Sequence, residues 1–239
     1  MAKKPKLDNH LVSLTAPASF AAEQYQGLRL TVERLGRARD LKVIAVTSPA
    51  AGDGKSVTAI NLAGALARGG EERVLLIDAD LRRPTIARQL AITDARCGLA
   101  DALTGGGTLA EVVRPMNQYN LDVISAGTVR SGISQILRSP RLDAFIQEAR
   151  QRYAYIVLDT PPLLPVFDSA LLAKSVDGVL MVVSANQTPR KLLGEALNML
   201  EPSKVLGIVF NRDERPLFGY YNSYYREYFP DVSQVATEA

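Results

Sequence analysis

The stretch that decides the fold is LKVIAVTSPAAGDGKSVTAINLAGALAR, which runs from Leu41 to Arg68. Its first part, Leu41–Thr47, is a short apolar run rich in β-branched residues and predicts a buried strand. Its last part, Ser56–Arg68, shows the periodicity of a helix. Between them lies a glycine-containing loop that ends in Gly-Lys-Ser. A strand, a loop of this kind and a helix in that order predict a phosphate-binding loop.

The chemistry of this loop follows from its residue types. Gly52 and Gly54 let the backbone come close to an anion, and the amides that open the helix favour phosphate. Lys55 is expected to reach the outer phosphates, and the Ser56 hydroxyl to ligate Mg²⁺. The predicted nucleotide-binding residues of the loop are Ala51, Gly52, Asp53, Gly54, Lys55, Ser56 and Val57. The strict pattern G-x-x-x-x-G-K-[ST] has Pro49 in place of its first glycine, so a glycine turn that happens to precede a helix is the alternative.

Three aspartates follow other apolar runs of the chain. Asp78 and Asp80 follow the second run, and Asp159 follows the fourth. Because parallel strands bring their carboxyl ends to one edge, we expect these carboxylates near Lys55, and the four residues form the predicted catalytic set. Asp80 and Asp159, with Ser56, are predicted to hold Mg²⁺, and Asp78 to accept a proton from an attacking hydroxyl or water. The alternative is that each aspartate caps the helix that follows it.

The rest of the chain repeats the alternation of apolar runs and helical patterns. Six runs predict strands: Leu41–Thr47, Val74–Ile77, Leu121–Ile124, Tyr155–Leu158, Val179–Val183 and Val205–Phe210. Helical patterns separate most of them: Ser56–Arg68, Pro140–Arg152, Phe167–Ala173 and Pro189–Leu200. Runs that are apolar on both faces and alternate with helices predict a doubly wound, mostly parallel α/β sheet.

The chain divides into three parts. Residues 1–19 lack periodicity and are predicted to be a flexible lead, after which Ser19 could cap a helix that reaches about Arg37. Residues 20–216 are predicted to form one P-loop domain, and residues 217–239 a tyrosine-rich tail. Five of the nine tyrosines lie close together in that tail, namely Tyr220, Tyr221, Tyr224, Tyr225 and Tyr228. Such a cluster fits a docked aromatic helix, a partner surface or, beside a phosphate site, a set of phosphate acceptors.

The residue after the last apolar run is Asn211. It stands at the same predicted edge of the sheet as the phosphate loop, so its side chain could hydrogen-bond the edge of an adenine base. We therefore add it to the predicted nucleotide-binding residues. A turn residue that leaves a strand is the alternative.

Composition excludes several classes of function. Cys97 is the only cysteine and His10 the only histidine, so an internal disulfide, a multi-cysteine zinc site and Ser–His–Asp catalysis are excluded. Lys and Arg number 28 against 25 Asp and Glu, and a net charge of +3 gives no reason to expect nucleic acid as a partner. The chain has neither a signal peptide nor an apolar run of the roughly 18 residues that a membrane span needs. We therefore expect a cytoplasmic protein.

Together these motifs resemble those of the bacterial tyrosine kinases (BY-kinases), the cytoplasmic partners of chain-length-determinant proteins in capsule and exopolysaccharide export. The similarity extends from about Ala22 to Phe229. Its most specific element is three apolar residues followed by Asp-x-Asp-x-Arg, which here reads LLIDADLR and ends at Arg82. The position of Asp159 and the tyrosine-rich tail match the same family.

The resemblance implies a P-loop NTPase fold of the Par/Min-like type and transfer of the γ-phosphoryl group of ATP, bound with Mg²⁺, to tail tyrosines of a neighbouring copy. It implies three partners: a membrane chain-length-determinant or co-polymerase protein as activator, a tyrosine phosphatase, and further copies of the chain in an oligomer such as a ring. It also implies a location at the inner face of the cell membrane, through the activator. Relatives that form rings carry Glu-x-x-Arg-x-x-Arg on the first helix. Here Glu23 and Arg29 match, but Gln26 replaces the middle arginine and removes a charged fork.

Two other functions stay open on the sequence. A Par/Min-type ATPase would share the fold, but such proteins carry a further lysine five positions before Lys55, where this chain has Ala50. A nucleotide-gated scaffold would bind partners through its tail without phosphorylating it. A scaffold has no need of a base such as Asp78.

Overall fold

The computed structural model describes residues 6–70, 73–93, 97–129 and 132–213. Seven strands form one sheet: β1 (Val43–Thr47), β2 (Val74–Asp78), β3 (Arg114–Met116), β4 (Leu121–Ile124), β5 (Tyr155–Asp159), β6 (Gly178–Ser184) and β7 (Val205–Asn211). Their order across the sheet is β3-β4-β2-β5-β1-β6-β7. β3 pairs antiparallel to β4, and the other neighbours pair in parallel.

Helices connect these strands across both faces of the sheet. They are α1 (Val12–Thr15), α2 (Phe20–Arg39), α3 (Lys55–Gly69), α4 (Ile86–Gln89), α5 (Leu99–Thr104), α6 (Leu109–Val112), α7 (Ile133–Leu137), α8 (Pro140–Arg150), α9 (Asp168–Leu172) and α10 (Arg190–Leu197). Two short 3₁₀ turns lie at Asn117–Tyr119 and Pro202–Lys204.

Strand β1 shows how the sheet is covered on both sides. Val43 and Ala45 pack into one apolar cluster, and Ile44 and Val46 pack into a second one. Because successive side chains of a strand point to opposite faces, these two clusters lie on opposite sides of the sheet. The doubly wound, mostly parallel α/β fold that the sequence predicts is therefore confirmed.

The structure contains one strand, β3, that the sequence did not predict. It has three residues and contains Pro115, which cannot donate a ladder hydrogen bond. Proline is tolerated at the edge of a sheet, where β3 lies. A strand this short carries too little apolar pattern to be seen in the sequence.

The N-terminal segment differs from the predicted flexible lead. Leu11 and Leu14 are buried in the same cluster as Ile44, and α1 packs along α3. The Asn61 amide fixes this contact, because its oxygen accepts from Ser13 N (2.9 Å) and its nitrogen donates to the carbonyl of His10 (2.9 Å). Two leucines three residues apart present one apolar stripe, and α3 supplies the surface that buries it.

Helix α2 begins where the sequence predicts. The Ser19 hydroxyl accepts a hydrogen bond from Ala22 N (3.2 Å), as an N-cap residue does. The helix extends two residues beyond the predicted end, to Arg39. Within the described ranges, no helix has both the length and the apolar character needed to cross a bilayer.

Candidate nucleotide-binding site

The strand order brings the predicted site residues to one edge of the sheet. β5 lies between β2 and β1, so the carboxyl ends of these three strands are adjacent. In the register, Asp159 stands opposite both Asp78 and Val46. The phosphate loop follows β1 directly, so the three aspartates and the loop meet at the edge where such sheets bind ligands.

The loop itself has the backbone of a phosphate cradle. Gly52 and Gly54 have φ of +96° and +93°, in the left-handed region that glycine adopts at low cost. Gly54 is the N-cap of α3, so the free amides of the first helical turn open beside the loop. Lys55 is the first residue of the helix, and Ser56 the second.

Side-chain hydrogen bonds hold the loop in shape. The Asp53 carboxylate accepts from Ala50 N (3.1 Å) and from the Thr188 hydroxyl (2.7 Å). The Asn211 amide donates to the carbonyl of Asp53 (2.9 Å), and a Cβ at Gly54 would lie 1.9 Å from that amide nitrogen. Asp53 and Asn211 thus support the loop with their side chains. The sequence did not indicate Thr188, because its only signal is a hydroxyl on a loop 135 residues away.

Lys55 joins two of the predicted carboxylates. Its ammonium nitrogen lies 2.9 Å from Asp80 Oδ2 and 3.3 Å from Asp159 Oδ1, and it also donates to the Ser56 hydroxyl (3.3 Å). Burial lowers the pKa of Lys55, but the charges of Asp159 and Asp80 outweigh burial and leave that pKa above its ordinary value. Lys55 is therefore a buried cation within a cluster of acidic and hydroxyl oxygens.

Asp159 is fully buried beside this cation. Burial raises the pKa of Asp159 to about 6, although Lys55 and the Ser56 hydroxyl act in the opposite direction. Its Oδ2 atom has no hydrogen-bond partner among the described residues. A buried carboxylate oxygen without a partner is costly unless a ligand completes it.

Asp78 is the predicted base, and it also acts as a helix cap. Its Oδ2 accepts from the backbone amides of Thr85 (3.1 Å) and Ile86 (3.0 Å), which open α4. Burial, and then repulsion by Asp159, raise the pKa of Asp78 to about 7. The other oxygen, Oδ1, lacks a partner within the described part of the chain. The capping alternative thus accounts for one oxygen of Asp78 and leaves the other available.

A cavity of about 660 Å³ opens in front of the phosphate loop. Its walls come from the loop, from residues that follow β2, and from the proline-rich segment 161–166. Lys55, Ser56 and Asp80 line it, together with Ala51, Gly52, Gly54 and Val57 of the predicted loop set. Asp78 and Asp159 are not among its lining residues, and Asp53 lines a smaller cavity of about 260 Å³ with Thr188. The structure therefore brings the predicted loop and carboxylate residues together. Some of them line the main cavity, whereas Asp78 and Asp159 lie behind its lining and Asp53 faces the smaller cavity.

The donor set fits a magnesium ion that shares its ligands with a nucleotide. Mg²⁺ is usually held by one or two carboxylates, substrate phosphates and waters. The Ser56 hydroxyl, Asp80 and the unpartnered oxygen of Asp159 supply oxygen donors of that kind. The residues described here contain no group of three or more His, Cys, Asp or Glu that could bind a metal by itself. The predicted phosphate acceptors Tyr220, Tyr221, Tyr224, Tyr225 and Tyr228 lie outside the described residues.

This fold and this loop define the chain as a nucleotide-binding P-loop NTPase. The sequence matches the AAA domain family (AAA_31) over residues 41–202. The septum site-determining protein MinD of Pyrococcus horikoshii, solved with Mg-ADP, shares the fold with a TM-score of 0.60 at 22% identity, and the similarity covers 79% of this chain and 77% of MinD.

More similar proteins narrow the class. Tyrosine-protein kinase YwqD of Bacillus subtilis is 32% identical over 91% of this chain and 93% of its own length. The kinase domain of Escherichia coli tyrosine kinase ETK superposes with a TM-score of 0.81 at 25% identity, and covers 91% of this chain and 87% of that domain. The succinoglycan biosynthesis transport protein ExoP of Rhizobium meliloti is 32% identical to this chain. The similar region covers 89% of this chain but only 28% of ExoP. The chain belongs to the bacterial tyrosine kinase family, and it is a protein-tyrosine kinase by class.

Proposed function

We propose that the chain transfers the γ-phosphoryl group of Mg²⁺-bound ATP to tyrosines 220–228 of a neighbouring copy, and that this reaction regulates capsule or exopolysaccharide polymerisation and export. The observation that carries the proposal is the junction of Lys55 with Asp80 and Asp159 beside the phosphate loop. A simple scaffold has no need of this buried charge cluster, since holding several charges out of water costs stability.

The transfer is a single displacement at phosphorus. The phenolic oxygen of the tyrosine forms a bond to the γ-phosphorus while the bond from that phosphorus to the β–γ bridging oxygen breaks, and ADP leaves. Lys55 and the loop amides stabilise the charge that develops on the phosphate oxygens. Ser56, Asp80 and Asp159 would hold Mg²⁺, which would neutralise further phosphate charge.

The phenolic proton needs an acceptor, and we assign this role to Asp78. A carboxylate whose pKa is about 7 is partly ionised at neutral pH and is matched to proton transfer there. Asp78 does not line the cavity, so a bridging water is required between its free oxygen and the tyrosine.

Lys55 must change partners when the nucleotide binds. Its ammonium group now joins Asp80 and Asp159, the two carboxylates assigned to Mg²⁺. Phosphate oxygens would replace these carboxylates as partners of Lys55, which would leave Asp80 and Asp159 free to hold Mg²⁺. The site therefore keeps its acidic residues neutralised both with and without the nucleotide.

The relatives support a membrane-associated setting for this reaction. ExoP is named as a transport protein, and a region similar to this chain makes up about a quarter of it. We propose that a membrane chain-length-determinant or co-polymerase protein activates this chain at the inner face of the membrane. A tyrosine phosphatase would reverse the reaction, and other copies of the chain would supply the acceptors.

Intact mass spectrometry of the purified chain tests this function. With Mg·ATP and the cytoplasmic segment of the cognate co-polymerase, we expect additions of about 80 Da per phosphate on the peptide 220–228. The Lys55→Met variant should show none, and Lys191→Met, which changes an exposed lysine of α10, should behave as the wild type. Phosphate release without added mass would indicate an ATPase, and the absence of both would indicate a scaffold.

A further inference from the structure

Arg82, the last residue of the Asp-x-Asp-x-Arg motif, is held by a buried carboxylate that the proposed mechanism does not use. Its Nε donates to Asp168 Oδ2 (2.5 Å), and its Nη2 to Asp168 Oδ1 (3.3 Å). The Asp168 side chain is 2% exposed, whereas that of Arg82 is 41% exposed. The Ser134 hydroxyl donates to the same carboxylate (3.2 Å). Three separate elements, the segment after β2, α7 and α9, therefore meet at Asp168.

The position of Arg82 sets it apart from an ordinary surface arginine. It lines the nucleotide cavity with Lys55 and Asp80, and it also lines a second cavity of about 650 Å³ with Leu81, Ile133 and other residues of that region. Arg82 thus stands on the wall that the two cavities share. An acceptor hydroxyl that reaches from the second cavity to a nucleotide in the first would approach the phosphates beside Arg82.

The chemistry of the pair suits that position. A guanidinium has five N–H donors in a rigid plane, and two of them point to Asp168, so three are left for other partners. Two-point contact with a carboxylate fixes the direction of those three donors. Stability alone explains the pair poorly, because partly exposed ion pairs contribute little and a buried carboxylate is costly to desolvate.

The second cavity is open and has a mixed apolar and polar lining. Leu81, Val129 and Ile133 give it apolar walls, and Ser134 and Gln135 give it polar groups. Among the described residues that line it, Arg82 is the charged one. An uncharged aromatic side chain with one hydroxyl fits such a cavity, and its hydroxyl would be directed to the end where Arg82 lies.

We infer that Asp168 is a positioning residue that holds the Arg82 guanidinium between the two cavities, where Arg82 contacts the phosphoryl group during its transfer to an acceptor tyrosine in the second cavity. This inference rests on the proposed function, because it needs a tyrosine acceptor. Asp168 contacts neither reactant and acts through Arg82.

A transfer assay between copies of the full chain tests this role. The donor is the wild-type chain or a variant, and the acceptor is a tagged Lys55→Met chain, with Mg·ATP and the co-polymerase segment present. Phosphate on the tagged acceptor gives kcat and the KM for the acceptor, and a fluorescent ADP analogue gives the nucleotide Kd. The donors are Asp168→Asn, Arg82→Gln, Arg82→Lys, the double variant Arg82→Gln/Asp168→Asn, and Glu148→Gln as a control. Glu148→Gln removes the charge of an exposed α8 residue that pairs with Arg152.

We expect Asp168→Asn to lower kcat for acceptor phosphorylation at least tenfold while the nucleotide Kd changes less than twofold. Arg82→Lys should lose nearly as much as Arg82→Gln, because lysine cannot reproduce the two-point contact. The double variant should be no slower than Arg82→Gln, and the control should equal the wild type. Thermal melting of each donor ensures that rates are compared between folded chains.

Three results would overturn the inference. Asp168→Asn could match the wild-type kcat and show only a lower Tm, which would make the pair a structural link. The losses could instead multiply in the double variant, which would mean that Asp168 acts independently of Arg82. If the wild-type donor itself transfers no phosphate to the tagged acceptor, the proposed function fails and the inference fails with it.

Discussion

The two ends of the sheet both bury aspartates, but they treat them in opposite ways. At the amino end, Asp122 accepts from Arg73 through one oxygen and from the Tyr153 hydroxyl (2.8 Å) through the other. Asp177 accepts from Arg150 and from the backbone amides of Lys42 and Val43. Every carboxylate oxygen of these two residues therefore has a partner.

The carboxyl end keeps its aspartates crowded and partly unsatisfied. One oxygen each of Asp78 and Asp159 lacks a partner among the described residues, and burial raises their pKa values to about 7 and about 6. At the amino end, burial also opposes ionisation of Asp177, but Arg150 and the backbone amides outweigh it and hold that pKa below its ordinary value. The same residue type stabilises one end of the sheet and leaves binding capacity at the other.

The largest effect is expected at the carboxyl end, on activity. Lys55→Met should lower tyrosine phosphorylation by on the order of a thousandfold, since it removes the cation that stabilises the transferred phosphoryl group. Phosphotyrosine measures the activity, and melting curves ensure that rates are compared between folded chains. If the variant keeps a tenth or more of the activity, the carboxyl end does not owe its activity to Lys55, and the proposed difference in function between the two ends is wrong.

At the amino end the effect should fall on stability instead. Asp122→Ala leaves the buried Tyr153 hydroxyl without its acceptor and Arg73 without its carboxylate partner, and should cost about 3 kcal/mol of unfolding free energy. That corresponds to a Tm lower by roughly 6–12 °C for a chain of this size. Activity per folded molecule should stay within twofold. Glu148→Ala, which removes an exposed partner of Arg152, is the control, and an equal loss of Tm there would contradict the prediction.

The carboxyl end should also make the stability of the chain depend on pH. Between the ordinary aspartate pKa of about 4 and the raised values of about 6 and 7, the folded chain binds more protons than the unfolded chain. Stability of the nucleotide-free chain, measured as its Tm, should therefore fall as the pH rises through this window. Asp78→Asn should flatten this dependence, and the exposed Asp40→Asn should not. A Tm that rises from pH 5.5 to pH 8 would contradict the raised pKa values.

The smallest effect is expected at Asn211. Asn211→Ala removes one hydrogen bond to the phosphate loop and should weaken nucleotide binding by about 1 kcal/mol, or roughly fivefold. If Asn211 only supports the loop, the substitution should weaken the binding of ATP and GTP equally. If Asn211 also hydrogen-bonds adenine, the substitution should weaken the binding of ATP more. Titrations with both nucleotides distinguish these roles, and Asn198→Ala, at an exposed residue directly after α10, is the control. Unchanged affinity for both nucleotides would show that the loop keeps its shape without Asn211.

The sequence predicted the site better than the features that support it. The loop from Gly52 to Ser56 and the strand-end aspartates are recognisable because they are contiguous or follow apolar runs. Thr188 and Asp168 could not be found in this way, since each is a common residue whose role depends on a contact with a distant part of the chain. The buried Leu11 and Leu14 were missed for a related reason, because two leucines alone do not show which surface receives them.

The first described residues are tied to the wall of the nucleotide cavity. The amide of Asp8 donates to the carbonyl of Gln89 (3.1 Å), and Gln89 lines that cavity. Tension on the chain ahead of Asp8 would therefore be transmitted to α4, the helix whose first amides Asp78 caps. Where further polypeptide precedes this point, this hydrogen bond is a mechanical route by which upstream chain can influence the reaction centre.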